Sequence, residues 1–469
     1  MLKSLRLRAL TGLKGRFDSD LFTYEQLRSM FIPLLLDQLF IFIIGLLSSA
    51  MVSSSGEGSM SAFNYGNAIS SLAYAIYSAV SIGAGIVIAR AKGSGDAVKM
   101  REAIGESCVI CTLIGSVFGV ALSLFGSGIV KVLYPSVSDT IAKNAGDFLR
   151  IFGLSIIPYS LFNVIFAAFR SVGDTKGSLI LTLVINTVHL LCSLLFINML
   201  DMGVPGSALS YLVARIIGVV FAVVWLMRPA CQIGMRFKDF TRFDVQVAKD
   251  IVALGIPISV EQVLFQGGML IVQMFISGLT VVQTDAHGVA NSMFMLYYAF
   301  AYSMTNITNT VCGQCIGAKK PALSKRYCIN LIFMGRIVML IAVLILFPMT
   351  PLIMKLYSPS SGSISYIYVA VALGALPMPL IWCDANIIAT ANRTAGDTVF
   401  TTVVSLTALG IGRVAFGYLF TVVLKMGIAG IWIGQIIEWL YRAVVFHMRL
   451  RSGKWLKGEL KTIMETEKA

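Results

Sequence analysis

The chain has 469 residues, of which 57% are hydrophobic and only 13% charged, with a mean hydropathy of +0.83. A water-soluble globular chain carries about 25% charged residues, so a soluble enzyme is excluded. The net charge of +14 raises nucleic acid as a partner, but the placement of the basic residues removes that reading.

Residues 1–29 are a basic segment beginning "MLKSLRLRALTGLKGRFDSD". No small-residue cleavage site follows an apolar core, so an interfacial helix is expected rather than a signal peptide. Twelve apolar runs follow, near 30–52, 64–91, 105–133, 146–169, 178–199, 206–227, 250–279, 287–317, 328–353, 364–391, 399–423 and 428–448. Each reaches the roughly 20 residues that carry a helix across a bilayer. Several are longer than an upright span needs, which predicts tilt or kinks, and Pro158 and Pro377 lie inside the fourth and tenth. The alternating segments of about ten residues that mark a membrane barrel are absent.

Most of the 37 Lys and Arg fall in the N-terminal segment, the even-to-odd loops or the tail, as with Arg90, Lys92, Arg236, Lys238, Lys319 and Lys320. The opposite loops hold Lys131, Lys143, Lys355 and Lys425. This is the positive-inside pattern, and it predicts a multi-pass protein of the cell (cytoplasmic) membrane with both termini in the cytoplasm. The partners it implies are the lipid bilayer and its anionic headgroups, not nucleic acid.

Sliding the chain along itself lays "IPLLLDQLF" (32–40) on "IPISVEQVL" (256–264). Pro33 meets Pro257, Asp37 meets Glu261 and Gln38 meets Gln262. An offset one position shorter pairs Arg170, Gly173, Asp174 and Thr175 with Arg393, Gly396, Asp397 and Thr398. Six spans return the chain to the same side, so the halves are parallel repeats. The predicted fold is therefore an all-α integral membrane protein: twelve transmembrane helices in two pseudo-symmetric six-helix bundles around a central cleft. The N-lobe spans 30–228, a basic linker 229–249, the C-lobe 250–448 and a tail 449–469. Such a duplication belongs to transporters more than to channels or receptors.

Three acids lie clear of the span ends: Asp37, Glu261 and Asp384. A charge at mid-membrane costs at least about 2.5–3.5 kcal/mol on insertion scales, so each must face water, a partner or a cavity. A carboxylate placed this way can exchange H⁺ or Na⁺ as its surroundings alternate; the competing reading is a paired or neutral acid that joins helices. Gln38, Gln262 and Gln266 stand near the first two. Tyr298, Tyr302, Asn306 and Asn309 are spaced by four, four and three positions, so they share one helix face suited to an amphipathic or cationic ligand. Interhelical hydrogen bonding is the plainer use of the same stripe. Asn163 and Asn186 complete the candidate substrate cleft.

Arg215, Arg336 and Arg413 are candidate salt-bridge partners with unassigned acids, Glu438 and Arg442 read as a local pair one turn apart, and His189 reads as structural. In the two R-x-x-G-D-T turns, Asp and Thr are expected to cap the following helix while Gly permits the turn. Cys108/Cys111 and Cys312/Cys315 read as packing residues, since no His flanks them. No P-loop, zinc-protease or nucleophile-elbow motif occurs, which points away from an enzyme and from a cofactor.

The stretches "GAGIVIARAKGSGD" (83–96), "TVCGQCIGAKK" (310–320), "FRSVGDTKGS" (169–178) and "MGVPGSAL" (202–209), in this order within a duplicated chain, resemble the multidrug and toxic compound extrusion (MATE) family over nearly its whole length. The resemblance implies two six-helix lobes, a V-shaped cleft and export of organic compounds by Na⁺ or H⁺ antiport, without a cofactor beyond the coupling ion. Many members carry a first-helix Asp where this chain has Ser48, and some carry an Asp one turn after Asn186, where it has Leu190. The resemblance therefore moves coupling toward Glu261 and Asp384. The expected activity is secondary active export of amphipathic or cationic organic compounds by a monomer; the alternative within the wider superfamily is a flippase for a lipid-linked oligosaccharide.

Overall fold

The structure, a computed structural model, describes residues 14–53, 59–134, 138–229, 231–240, 244–357 and 359–466. Most of the segment expected as an interfacial helix (1–13) lies outside the described residues. Every described element is helical. The long helices are α1 (Tyr24–Ser53), α2 (Ser59–Gly93), α3 (Ala97–Leu133), α4 (Asp139–Ser171), α5 (Thr175–Met199) and α6 (Gly203–Leu226), then α7 (Val245–Ser277), α8 (Val281–Gly317), α9 (Pro321–Leu346), α10 (Ser363–Thr394), α11 (Thr398–Val423) and α12 (Ile428–Ser452). Ten are long and apolar enough to cross a membrane. The other two, α7 and α8, are 33 and 37 residues long and carry Glu261, Gln262, Gln266, Asn306 and Asn309.

The helix surfaces show what covers them. On α3, Leu113, Val117, Val120 and Leu124 recur at helical spacing and are between 44% and 71% exposed, an apolar stripe that water would not tolerate at this size and lipid would. Of the two prolines expected to kink spans, Pro377 breaks its helix, whereas the helix around Pro158 runs on as one α-helix. Pro33, Pro158 and Pro257 sit inside α1, α4 and α7. Pro377 precedes a π-helical turn, Met378–Trp382, that interrupts α10, because the missing N–H of proline breaks the ladder of backbone bonds.

The chain divides into two compact units. One is Leu39–Val263; the other is Leu264–Ala469 together with the chain up to Gln38. The two boundaries fall inside α1 and α7, next to Asp37 and Glu261. In the C-terminal unit the core is built from Phe294, Tyr297, Tyr327, Trp382, Trp439, Phe446 and Trp455, and the beginning of the chain adds Phe17, Leu27 and Leu34. Tyr327 fixes that segment by donating to the Phe17 carbonyl at 2.7 Å, with Ser19 Oγ also 2.7 Å from its hydroxyl. Leu39–Val263 has two cores: Phe162 and Phe169 with Ile251, Leu254 and Ile258, and Phe63, Tyr77, Phe148 and Phe152. Its linker is pinned to α3 by Arg101–Asp239 at 3.5 Å and by the Asp244 N–H on Glu106.

The duplication is written in the backbone. Positions equivalent under the offset that lays Asp37 on Glu261 share left-handed geometry. Gly95 and Lys319 have φ of 77° and 56°, Asp201 and Lys425 have 51° and 53°, and Gly203 and Gly427 have 58° and 60°. In the two R-x-x-G-D-T turns, Gly173 and Gly396 have φ of 91° and 94°, a region that L side chains avoid. The side chains that follow diverge. Asp174 caps α5, accepting from the Gly177 N–H at 2.9 Å. Asp397 makes no such cap bond; its carboxylate is held from the side by Arg449 at 2.8 and 3.0 Å and by Lys457 at 3.6 Å.

Candidate transport site

Each expected acid is buried, in a different setting. Asp37 is 0% exposed, and Gln38 Nε2 donates to its Oδ2 at 3.0 Å. Glu261 is 7% exposed. The half of α7 that carries Glu261 lies tight against α2: a Cβ on Gly83 would come within 2.9 Å of the Gly255 nitrogen, so two facing glycines let these backbones touch. Asp384 is gripped by Arg336, whose Nε and Nη2 reach Oδ1 at 3.2 and 2.9 Å and whose Nη2 reaches Oδ2 at 2.8 Å. His447 Nδ1 stands 3.7 Å from the same carboxylate. A bidentate guanidinium is the strongest partner available to a carboxylate.

The Tyr298 stripe gathers further aromatics. Tyr298 and Tyr302 have ring centroids 5.6 Å apart, and Trp382 of α10 stands 6.4 and 6.1 Å from them. Gln435 of α12 donates to the Tyr298 hydroxyl at 3.5 Å. Asn306 and Asn309 are half-buried one and two turns along the same helix, as are Gln262 and Gln266 on α7 and Asn163 on α4. Asn186 spends its amide on its own helix, donating to the Thr182 carbonyl at 2.9 Å.

Arg413 and Arg442 both reach Glu438, at 2.6 and 3.5 Å, and Arg442 Nη2 also donates to Asn386 Oδ1 at 3.0 Å. The Arg413 Nε contact is an ion pair by distance, with its N–H not aligned as a hydrogen bond. Glu438 thus forms the expected local pair with Arg442 and, with Arg413 added, is the centre of a buried two-to-one cluster. Arg215 donates to Ser155 Oγ at 2.6 Å and lies over the rings of Phe152, Tyr159 and Tyr211 at 4.5, 4.1 and 5.0 Å. Among the described residues no carboxylate pairs with it. His189 stacks on Tyr211 at 4.1 Å, and its Nε2 is 2.9 Å from Ser48 Oγ.

Sequence reasoning missed Tyr74, Tyr159, Trp382, Gln435 and Tyr211. The repeat holds the signal that finds them. The offset that lays Asp37 on Glu261 also lays Tyr74 on Tyr298 and Tyr211 on Gln435, and the offset of the R-x-x-G-D-T turns lays Tyr159 on Trp382. Tyr74 and Tyr159 stand 6.3 Å apart by centroid, against 6.4 Å for Tyr298 and Trp382. Two copies of one aromatic arrangement exist, and among the described residues only that of Leu39–Val263 has a guanidinium seated on it.

Comparison with known proteins agrees with this architecture. The MatE family profile matches twice, over residues 33–195 and 257–419, so that Pro33 and Pro257 open the two matched stretches. An uncharacterised transporter of Bacillus subtilis, YisQ, is 24% identical over 436 residues, covering 91% of this chain and 93% of that one. A probable multidrug resistance protein NorM of Thermotoga maritima is 22% identical over 452 residues, covering 93% and 94%. Among solved structures, an outward-facing multidrug resistance MATE transporter superposes with a TM-score of 0.83 at 18% identity, covering 91% of this chain and 96% of that one. A transporter of the same superfamily from Pyrococcus furiosus gives 0.81 at 18% identity, covering 91% and 95%. With both halves of its sequence matched in register with its own internal repeat, the chain belongs to the MatE family, the multidrug and toxic compound extrusion transporters, and is a membrane transporter rather than an enzyme.

Proposed function

We propose that this transporter exports amphipathic or cationic organic compounds by antiport against H⁺ or Na⁺, through alternating access of the lobes 30–228 and 250–448. In this reading it is a monomer of the cell membrane with the linker 229–249, the segment 1–29 and the tail 449–469 on the cytoplasmic side. The observation that carries it is the pair Asp37 and Glu261: equivalent in the two repeats, buried inside helices, each followed by Gln38 or Gln262. A buried carboxylate is stable when it holds a proton, a cation or a partner, so a change of surroundings that removes one must admit another. Asp384 is the third coupling group, because a proton on it would release Arg336.

Tyr302, 48% exposed and backed by Tyr298 and the buried Trp382, is the proposed contact for the cationic part of the cargo through cation–π attraction. Gln266, Asn306, Asn309, Asn163 and Asn186, with Gln38 and Gln262, supply the polar contacts. The multidrug names of the relatives support this substrate class, and the flippase alternative draws nothing from them.

The test is ethidium efflux by proteoliposomes carrying an imposed Na⁺ or pH gradient. One gradient should drive transport and the other should not. Glu261→Gln and Asp37→Asn should each lower gradient-driven flux about tenfold or more, the scale of a lost interaction of roughly 1.4 kcal/mol, in protein that still folds. Unchanged flux in both variants would remove these acids from the coupling.

A further inference from the structure

We infer that the protein carries a built site for an acidic phospholipid, at the Pro321 end of α9 and the Ser452 end of α12. A groove of about 550 Å³ opens there, within the usual range for a ligand site. Its lining holds Arg16, Lys325, Arg336 and Arg451, and among the described residues no carboxylate lines it. Among the same residues no carboxylate lies within salt-bridge distance of Arg16, Lys325 or Arg451. Three cations left uncompensated around one cavity repel each other, and an anion between them relieves that.

The basic lining is fixed rather than floating. Asn330 Nδ2 donates to the Arg16 carbonyl at 2.8 Å, Arg326 Nη2 donates to the same carbonyl at 2.9 Å, and the Arg16 guanidinium lies 5.0 Å over the Phe333 ring. The charge in the groove is therefore positioned by the fold.

The floor distinguishes a lipid from a free anion. Ile329, Phe333 and Leu450 line the groove, and the apolar surface continues along α9 through Ile337, Leu340, Ile341 and Leu344, which are 40%, 50%, 48% and 65% exposed. The helix from Ile329 to Leu344 is about 22 Å long, the scale of an extended acyl chain. A phosphodiester at the basic lining with its chain along this stripe satisfies both halves of the surface, and basic pockets beside membrane helices bind anionic headgroups by this chemistry. Arg336 is shared with Asp384, so the headgroup and that carboxylate draw on one guanidinium.

The test uses the full chain, delipidated in a non-ionic detergent, with unfolding followed on heating. Phosphatidylglycerol should raise the melting temperature by several degrees, as expected of a ligand that binds only the folded state. Phosphatidylcholine with the same chains, and inorganic phosphate, should leave it unchanged. Arg16→Gln, Lys325→Gln and Arg451→Gln combined should abolish the increment, while Arg16→Lys, Lys325→Arg and Arg451→Lys combined should keep it. Equal shifts with the two lipids, or a full increment in the glutamine variant, would overturn the site. A shift reproduced by inorganic phosphate alone would make it a soluble-anion site and overturn the lipid assignment.

Discussion

Arg413 Nε and Glu438 Oε2 lie 2.6 Å apart, with side chains 8% and 1% exposed, and Arg442 approaches the same carboxylate from one turn along α12. Two guanidiniums and one carboxylate make a cluster of net charge +1, in which Glu438 is within ion-pair distance of both arginines. Removing one partner of a buried ion pair costs about 3–5 kcal/mol because the remainder stays buried and uncompensated. Glu438→Gln should therefore lower stability by about that amount, seen as a large fall in the melting temperature in detergent. Arg442→Met leaves the Arg413 pair in place and should cost clearly less. Equal losses would mean that the cluster is not organised around Glu438.

The approach of α11 to α12 depends on missing side chains at Gly412, Gly430 and Gly434, of which Gly412 lies against Glu438. A Cβ on Gly412 would lie 2.5 Å from the Glu438 nitrogen and 2.6 Å from its Cα, whereas a Cβ on Gly410 meets nothing within 4 Å. Backbone cannot yield as a side-chain tip can. Gly412→Ala should cost about 1–3 kcal/mol as overpacking and push Arg413 off Glu438. Gly410→Ala should be neutral or mildly stabilising, since alanine favours helix over glycine. Comparing the two melting curves separates a steric requirement from a general dislike of substitution in this segment.

The two R-x-x-G-D-T turns should respond differently to the same change. Asn is as good an N-cap as Asp, so Asp174→Asn should shift stability by less than about 0.5 kcal/mol. Asp397 is 1% exposed and held by Arg449, so Asp397→Asn strands a half-buried guanidinium and should cost several times more. Matched thermal melts of the two variants check this.

Much of this is legible in the sequence. Twelve hydrophobic runs give the helices, and the shift that lays Asp37 on Glu261 gives two repeats, whose left-handed residues coincide to within a few degrees at Asp201/Lys425 and Gly203/Gly427. What escapes is whatever depends on residues far apart along the chain. Arg336 and Asp384 meet across two helices, Arg413 belongs to Glu438, and Arg215 pairs with rings rather than an acid. The Asp397 turn reads locally like its twin, because Arg449 lies on another helix. The aromatic pairs are recoverable, since applying the repeat offset to Tyr298 gives Tyr74.

Asp20 offers a pH test outside the membrane-spanning helices. Its hydrogen bond with Lys320 holds the carboxyl below the usual value of 3.8. A group whose folded pKa is depressed contributes stability above its unfolded value and loses it as pH falls through the folded one. Docking of the beginning of the chain should thus be unchanged from pH 7 down to about 5 and loosen only in more acidic solution. Asp20→Asn should remove that acid-dependent step. Protease cleavage before Tyr24, followed against pH, reads it out, and loosening already near pH 6 would place the responsible group elsewhere.

The last expectation separates the two aromatic arrangements. Around Tyr159 and Tyr211 the ring faces are already used by Arg215, so Tyr159→Ala should act on stability by unseating that guanidinium. Around Trp382, Tyr298 and Tyr302 no guanidinium is seated on a ring among the described residues; Trp382 is packed into the core, while Tyr302 is 48% exposed, so the Tyr302 ring is the one open to a cationic cargo. A cation–π contact of about 0.5–2 kcal/mol corresponds to roughly 2- to 30-fold in affinity. Tyr302→Ala should raise the half-saturating concentration of ethidium by a factor in that range, with Tyr302→Phe recovering part of it and the melting temperature little changed by the phenylalanine. If Tyr159→Ala weakens ethidium handling while Tyr302→Ala leaves it untouched, the cargo meets the other repeat, and Arg215 must then give up its rings when substrate arrives.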